Sequence, residues 1–312
     1  MTRDQQTNDV IIIGGGPAGL TAALYCGRAR LNTLLLEKAA AGGQAATTDI
    51  IENYPGFPEG VGGYELTEKM KQQAVQFGAR LQEISTVTTI EADGDIRVVK
   101  TEDESSYRAR AVIIASGVEA RTLGVPGESE FRGKGVSYCA TCDGAFYRDK
   151  DVAVIGGGNA AVEEAIFLTK FASKVYVIHR RAELRADKIL QERAFENSRI
   201  EIVWDSHLKK ILGNSKVEEI VIENKNTHER TELSVDGVFF YIGSVPNTTF
   251  CTGVIDLDDR DFILTDAKLM TSMKGVFACG DCRANLLKQV AVAVGEGALA
   301  AVEADRYVED NF

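Results

Sequence analysis

A chain of 312 residues, 45% hydrophobic and 26% charged, has the composition of an ordinary globular protein and the length for about two domains, each able to bury its own core. A formal net charge of −11 argues against a general nucleic-acid binder, because phosphate contact needs a concentrated basic surface. The polar start, without the apolar core of a signal peptide, and the lack of any apolar run of membrane length predict a cytoplasmic protein whose thiols stay reduced.

Residues 10–13 form a short apolar run leading into Gly14-Gly15-Gly16-Pro17-Ala18-Gly19, and a helical pattern follows through Leu20, Ala23 and Leu24. Strand, glycine turn and helix make a dinucleotide-binding fingerprint. Gly14 allows the tight turn, Gly16 lets backbone approach a pyrophosphate, and Gly19 lets helix pack on strand, with the phosphates at the positive helix N-terminus. A second strand over residues 33–36 ends in Glu37, where an acid accepts ribose hydroxyls. Glycine, proline and aromatics cluster over residues 42–63, in Gly42-Gly43-Gln44 and Glu52-Asn53-Tyr54-Pro55-Gly56-Phe57-Pro58, which predicts a packed functional loop. Leu66, Met70, Ala74 and Phe77 at helical spacing, stopped by Gly78, predict a scaffold helix. Short strands follow, and residues 111–117 read as a buried strand entering a small-residue turn. The glycine-rich residues 121–134 read as an interdomain crossing.

Next comes Ser137-Tyr138-Cys139-Ala140-Thr141-Cys142-Asp143-Gly144. A C-x-x-C pair near a βαβ pattern, in a chain with reduced thiols, reads first as a redox pair; half a zinc site or two small turn residues are the alternatives. The opening pattern then returns. At one constant offset of 142 residues and without a gap, Gly14 matches Gly156, Gly16 matches Gly158, Gly19 matches Ala161 and Glu37 matches His179, so a second nucleotide-binding domain is expected. In place of the first copy's acid stand His179-Arg180-Arg181, with Arg185 a helical turn on. Donors and positive charge there suit an adenosine 2′-phosphate, which predicts NADP(H) over NAD(H); a solvated surface cluster is the alternative. Residues 237–243 form another buried strand into a turn, and residues 244–247 read as a second crossing, so the second domain is expected to be inserted in the first. The tail supplies a strand over 275–278, the turn Cys279-Gly280-Asp281, and a small-residue helix over 289–307 whose N-terminus, near Asp281, is expected to face a diphosphate or ribityl chain.

Taken together, the glycine turn at 14–19, Ile51-Glu52-Asn53-Tyr54-Pro55-Gly56, Cys139-Ala-Thr-Cys142-Asp143-Gly, Gly156-Gly-Gly158-Asn-Ala-Ala161, His179-Arg180-Arg181 with Arg185, and Gly280-Asp281 resemble the low-molecular-weight thioredoxin reductases of bacteria and plants over essentially the whole chain. The resemblance implies an α/β fold with two Rossmann-like domains. One binds FAD (1–118 and 247–312); the other binds NADPH and carries the Cys139/Cys142 pair (119–246). It also implies hydride transfer from NADPH to FAD, electrons passing to the disulfide and on to thioredoxin, rotation between the domains, and a homodimer. Along FAD it places Gly14, Gly16, Pro17, Ala18, Gly19, Glu37, Lys38, Gly43, Gln44, Asn53, Ala115, Gly117, Gly280, Asp281, Lys288, Gln289 and Val290. Along NADPH it places Gly156, Gly158, Asn159, Ala160, Ala161, His179, Arg180, Arg181 and Arg185. Asp143, beside the pair, is placed to return a proton to a leaving thiolate as general acid.

Three positions depart from that pattern. Ser116 stands where threonine is usual, Lys288 where arginine is common, and Cys279-Gly280-Asp281-Cys282 puts a second C-x-x-C inside the flavin motif. The last pair reads as two incidental small residues, with a spare redox pair or a four-thiolate zinc site as alternatives. Rival readings of the whole are the same scaffold serving another small redoxin or a peroxide-reducing partner, a ferredoxin-fed member, and a non-enzymatic zinc-bearing nucleotide sensor.

Overall fold

The structure, a computed structural model, describes residues 7–312 apart from Asp49 and Leu286, and the backbone but not the side chain of Cys142. The chain divides into two compact units, residues 1–119 with 245–312, and residues 120–244.

In the first unit, Asn8–Ile13, Thr33–Leu36, Arg80–Gln82, Ser106–Ile114 and Val276–Ala278 line up as parallel strands in the order 80–82, 33–36, 8–13, 106–114, 276–278. Their runs of Val, Ile and Leu are buried on both faces, as a parallel sheet requires. Val87–Asp93 and Ile96–Thr101 extend the early half of Ser106–Ile114 as an antiparallel meander. Helix Pro17–Arg28 packs on the C-terminal helix Val290–Asn311. A Cβ on Gly297 would lie 2.2 Å from the Ala18 carbonyl oxygen, which explains why this helix is so rich in Gly and Ala. It begins at Val290 with Gln289 as its N-cap, whereas Asp281 sits in a separate 3₁₀ turn, Gly280–Cys282. The small-residue helix expected over 289–307 is thus found at its expected start, and it runs on to Asn311.

The second unit repeats the arrangement. Its parallel strands run in the order Ile200–Val203, Lys174–Ile178, Asp151–Gly156, Gly237–Tyr241, Val136–Ser137, and an antiparallel meander, 206–213, 217–224 and 230–234, again sits between the third strand and the closing one. Residues 121–134 are not a crossing. Phe131 is buried in this unit's core, a Cβ on Gly127 would strike the Ile211 carbonyl at 2.3 Å, and one on Gly135 would strike Val217 at 2.5 Å. These glycines mark close packing, which composition alone does not separate from linker flexibility. The chain changes units instead at the short paired strands Val118–Ala120 and Ser244–Pro246.

Ile84 is a strained position. This β-branched residue holds φ at +57° while 89% exposed, in a region that costs such residues on the order of 1–2 kcal/mol with no burial in return. Ile84→Asn, which tolerates that region, is expected to raise Tm by roughly 2–4 °C in a thermal melt; an unchanged or lower Tm would refute the strain. Among the described residues no helix is long and apolar enough to cross a membrane.

Candidate functional site: two glycine turns and a disulfide turn

The first glycine turn follows from packing. Gly14 holds φ at +107°, and a Cβ there would lie 2.3 Å from the Ala115 carbonyl oxygen; at Gly19 it would lie 1.9 Å from that of Gly14. Gly16 differs, since a Cβ there would meet only the Gly43 Cα, at 3.9 Å. Open space thus lies above the N-terminus of helix Pro17–Arg28, where no side chain caps the first-turn amides, and such an end accepts a diphosphate.

Glu37 is buried, and its carboxylate accepts the Gly15 N–H at 2.6 Å and the Ala39 N–H at 2.9 Å. Each oxygen keeps a lone pair for a ribose hydroxyl. Glu37 is bracketed by the turn after the third strand. Its N–H donates to the Gln82 carbonyl, and the Ser85 N–H donates to its carbonyl, while the Ser85 hydroxyl is buried without a partner among the described residues. Sequence reasoning missed this turn. The rule that ligands lie at the carboxyl ends of parallel strands would have found it.

Lys38 is ion-paired to Glu119 at an exposed surface, a contact worth at most about 1 kcal/mol and readily exchanged for a phosphate. Gln44 donates to the Val118 carbonyl at 2.6 Å from the 3₁₀ turn Gly43–Thr47. Asn53 Nδ2 donates to Gln289 Oε1 at 2.8 Å, so the loop residue is brought to the helix N-cap. Ala115 and Gly117 follow the closing strand, and Ser116 is locked by mutual hydrogen bonds with Asn247. Gly280 holds φ at +74° and gives its N–H to Glu296 at 2.8 Å, and Glu296 also pairs with Arg283 at 2.6 Å. Lys288 donates to the Asp281 carbonyl at 2.6 Å and lies 4.0 Å from the Phe262 ring centroid; burial pulls its ammonium below the ordinary value.

Asp281 receives no side-chain hydrogen bond among the described residues, and burial pushes its carboxyl above the ordinary value, opposed by Lys288 and assisted by Glu296. A half-buried acid without a protein donor among the described residues fits a hydroxyl-bearing cofactor. The linkage follows from the raised folded-state pKa. The protonated carboxyl costs nothing below the unfolded pKa, and a penalty grows as pH rises through the folded one. In cofactor-free protein, Asp281→Asn should therefore be stabilising, with a gain in urea melts that grows as pH rises above the ordinary carboxylate range and the wild-type carboxyl ionises. Flavin uptake should weaken in the same variant. A gain that is flat with pH would refute the account.

The second glycine turn is built the same way. A Cβ on Gly156 would lie 2.4 Å from the Tyr241 carbonyl oxygen, whereas one on Gly158, the uncapped N-cap of helix Asn159–Leu168, would touch nothing within 4 Å. The middle glycines explain themselves together. A Cβ on Gly157 would lie 2.3 Å from His179 Nδ1, and one on Gly15 would lie 3.2 Å from the Glu37 Cβ. In each unit, the residue ending the second strand lies over the turn.

Here the structure corrects one sequence expectation. His179 is 3% exposed, and its Nε2 lies 3.0 Å from the Glu183 carbonyl. Burial holds its imidazole below the ordinary value, opposed by backbone hydrogen bonds and reinforced by Arg185 and Arg181. Burial thus favours its neutral form over the charged one. Arg180, Arg181 and Arg185 are exposed, and none makes an ion pair among the described residues. Three free guanidiniums beside a glycine turn fit a 2′-phosphate. Asn159 is held by a reciprocal pair with Asp187, at 2.7 and 2.8 Å. Ala161 is fully buried, and Ala160 is exposed.

The strand Val136–Ser137 leads into the one-turn helix Ala140–Asp143. Cys139 is half-buried and disulfide-bonded, and the side chain of Cys142 lies outside the described residues. The Ser137 hydroxyl accepts the Cys139 N–H at 3.1 Å and donates to Asp143 Oδ2 at 2.6 Å, a link from cysteine backbone to carboxylate that the motif did not announce. The Ala140 N–H donates to the Tyr241 hydroxyl at 2.8 Å. Burial, with the charge of Glu164, pushes the Tyr241 phenol far above its ordinary value, so it stays protonated. Cys279 and Cys282 are free and fully buried, and burial raises both thiols. Among the described residues no three His, Cys, Asp or Glu gather as a metal site.

Two dinucleotide-binding units in one chain, one of them holding a disulfide beside its glycine turn, define a disulfide oxidoreductase. The chain belongs to the pyridine nucleotide-disulphide oxidoreductase family, whose model matches residues 8–297. It is 46% identical over 310 residues to a thioredoxin reductase of Peptoclostridium acidaminophilum, covering 97% of this chain and 98% of that protein. Among solved structures it is similar to the thioredoxin reductases of Lactococcus lactis (44% identity, 97% of this chain and 100% of that one, TM-score 0.95) and T. acidophilum (34% identity, 97% and 99%, TM-score 0.92).

Proposed function

We propose that this protein is an NADPH- and FAD-dependent thioredoxin-disulfide reductase. The observation that carries the reading is the disulfide-bonded Cys139 in the same unit as a glycine turn flanked by three arginines that have no ion-pair partner among the described residues, in a chain similar to thioredoxin reductases over nearly its whole length. FAD, when bound, accepts a hydride from the nicotinamide and passes two electrons to the disulfide.

The chain's residues bind, orient and move protons. Residues 1–118 and 247–312 hold FAD. Gly14 to Gly19 and the helix behind them take the diphosphate, Glu37 and Lys38 the adenosine side, and Gly43, Gln44, Asn53, Ala115, Gly117, Gly280, Asp281, Lys288, Gln289 and Val290 the rest. Residues 119–246 hold NADPH. Gly156 to Ala161 take its diphosphate, Arg180, Arg181 and Arg185 its 2′-phosphate, and His179 keeps the arginine loop in place from beneath. Cys139 and Cys142 form the redox pair, and a mixed disulfide with a separate redoxin carries the electrons out. Asp143, held by the Ser137 hydroxyl, protonates the leaving thiolate. The partner is thioredoxin or a similar small redoxin, the protein is a cytoplasmic homodimer, and its net charge of −11 supports no role with nucleic acid.

An anaerobic NADPH titration of the oxidised protein tests this. Bleaching of the flavin band after about two equivalents per subunit, with two new thiols, is expected. A flavin that bleaches with no new thiols would refute disulfide reduction, and one that NADPH leaves yellow would refute the nucleotide assignment.

A further inference from the structure

The parallel sheets of the two units correspond residue by residue. Val10 pairs with Ala111 and Val152 with Gly237, so 111 corresponds to 237 and 112 to 238. Val112 pairs with Val276 and Val238 with Val136. The N–H groups of Val112 and Val238 donate to the carbonyls of Gly275 and Gly135, at 2.9 and 2.8 Å, and both glycines hold positive φ. Counting on from these strands, Cys279 corresponds to Cys139, Gly280 to Ala140, Asp281 to Thr141 and Cys282 to Cys142. The two C-x-x-C motifs are one structural element, present once in each unit.

The residues between the cysteines share a second property. Among the described residues the Asp281 carboxylate has no hydrogen-bond donor, and Thr141 Oγ1 is a buried atom without a hydrogen-bond partner. Helical threonines elsewhere in the chain return their hydroxyl to a carbonyl of the preceding turn, Thr21 to Pro17 at 2.7 Å and Thr67 to Gly63 at 2.9 Å. Thr141 is the second residue of a one-turn helix and has no such carbonyl behind it. A buried hydroxyl left unpaired is costly, and a ligand absent from the structure is the simplest partner.

We propose that the Thr141 hydroxyl binds the nicotinamide-side ribose of NADPH, in the place that Asp281 takes on the ribityl side of FAD. This rests on the reading above and deepens it. The turn that carries the redox cysteines is then also a wall of its own unit's nucleotide site. A hydroxyl both donates and accepts, so it suits a neutral sugar, while the arginines take the charged end.

The test is isothermal titration of oxidised holoprotein with NADP⁺ and with 2′,5′-ADP, which lacks the nicotinamide half. Thr141→Val, equal in shape, should weaken NADP⁺ about tenfold, the equivalent of ~1.4 kcal/mol, and leave 2′,5′-ADP unchanged. Thr141→Ser should stay within about twofold of wild type, as a retained hydroxyl requires. Should the valine variant fold poorly, Thr141→Ala serves in the same comparison. Unchanged NADP⁺ affinity, or equal weakening of both nucleotides, overturns the proposal. So does a shift of the dithiol's potential in dithiothreitol buffers with NADP⁺ affinity intact, which assigns the hydroxyl to sulfur. Wild-type protein that takes up neither nucleotide overturns the NADPH reading and this proposal with it.

Discussion

Cys139→Ser is expected to abolish redoxin reduction, by on the order of a thousandfold or more, while leaving NADPH-driven reduction of a small electron acceptor such as ferricyanide intact. A serine hydroxyl forms no bond to sulfur that exchange can break, so the two-electron path to the partner ends there. The substitution removes little else. Cys139 is half-buried, and the local structure is held by its backbone N–H on Ser137 and by the Ala140 N–H on Tyr241, none of which uses the sulfur. Parallel assays with thioredoxin and with ferricyanide separate the two steps. Equal loss in both would mean that the sulfur is structural, and retained redoxin turnover would remove Cys139 from the path.

The second large effect concerns nucleotide choice. Replacing Arg180 and Arg181 together by alanine should lower the ratio of kcat/KM for NADPH over NADH by about a hundredfold or more, since two charge-assisted hydrogen bonds at roughly 1.5–3 kcal/mol each are lost. The arginines are exposed and lack acidic partners among the described residues, so the fold should tolerate the change. NADH turnover should hold nearly constant. A wild-type ratio near unity, or one unmoved in the double variant, would remove the 2′-phosphate from these residues.

The repeat was legible because both copies keep strand, turn, helix and second strand at the same spacing from Val10 and Val152. The glycines carried the signal, since a side chain at Gly14 or Gly156 meets a carbonyl of the neighbouring strand. His179 was misleading, because next to three arginines its letter suggests charge, and only packing against Gly157 shows a buried ring. Gly127 and Gly135 suggested a flexible crossing for a similar reason: a glycine that permits close contact and one that permits motion are the same residue in a sequence. The match between the two C-x-x-C turns was hidden by chain order. In one unit the strand before the motif precedes the first strand of the sheet, and in the other it comes after every other strand, so no constant offset brings them together. Only the cysteines are shared between Cys139-Ala-Thr-Cys142 and Cys279-Gly-Asp-Cys282.

Cys26, Cys251, Cys279 and Cys282 are each no more than 1% exposed, and burial drives all four thiols toward their protonated, unreactive form, Cys26 to about 12. A maleimide or Ellman-type reagent added to the folded protein therefore meets almost no background. Labelling without denaturant becomes a direct gauge of how far the enzyme is charged with electrons, and the same count in urea supplies the internal standard.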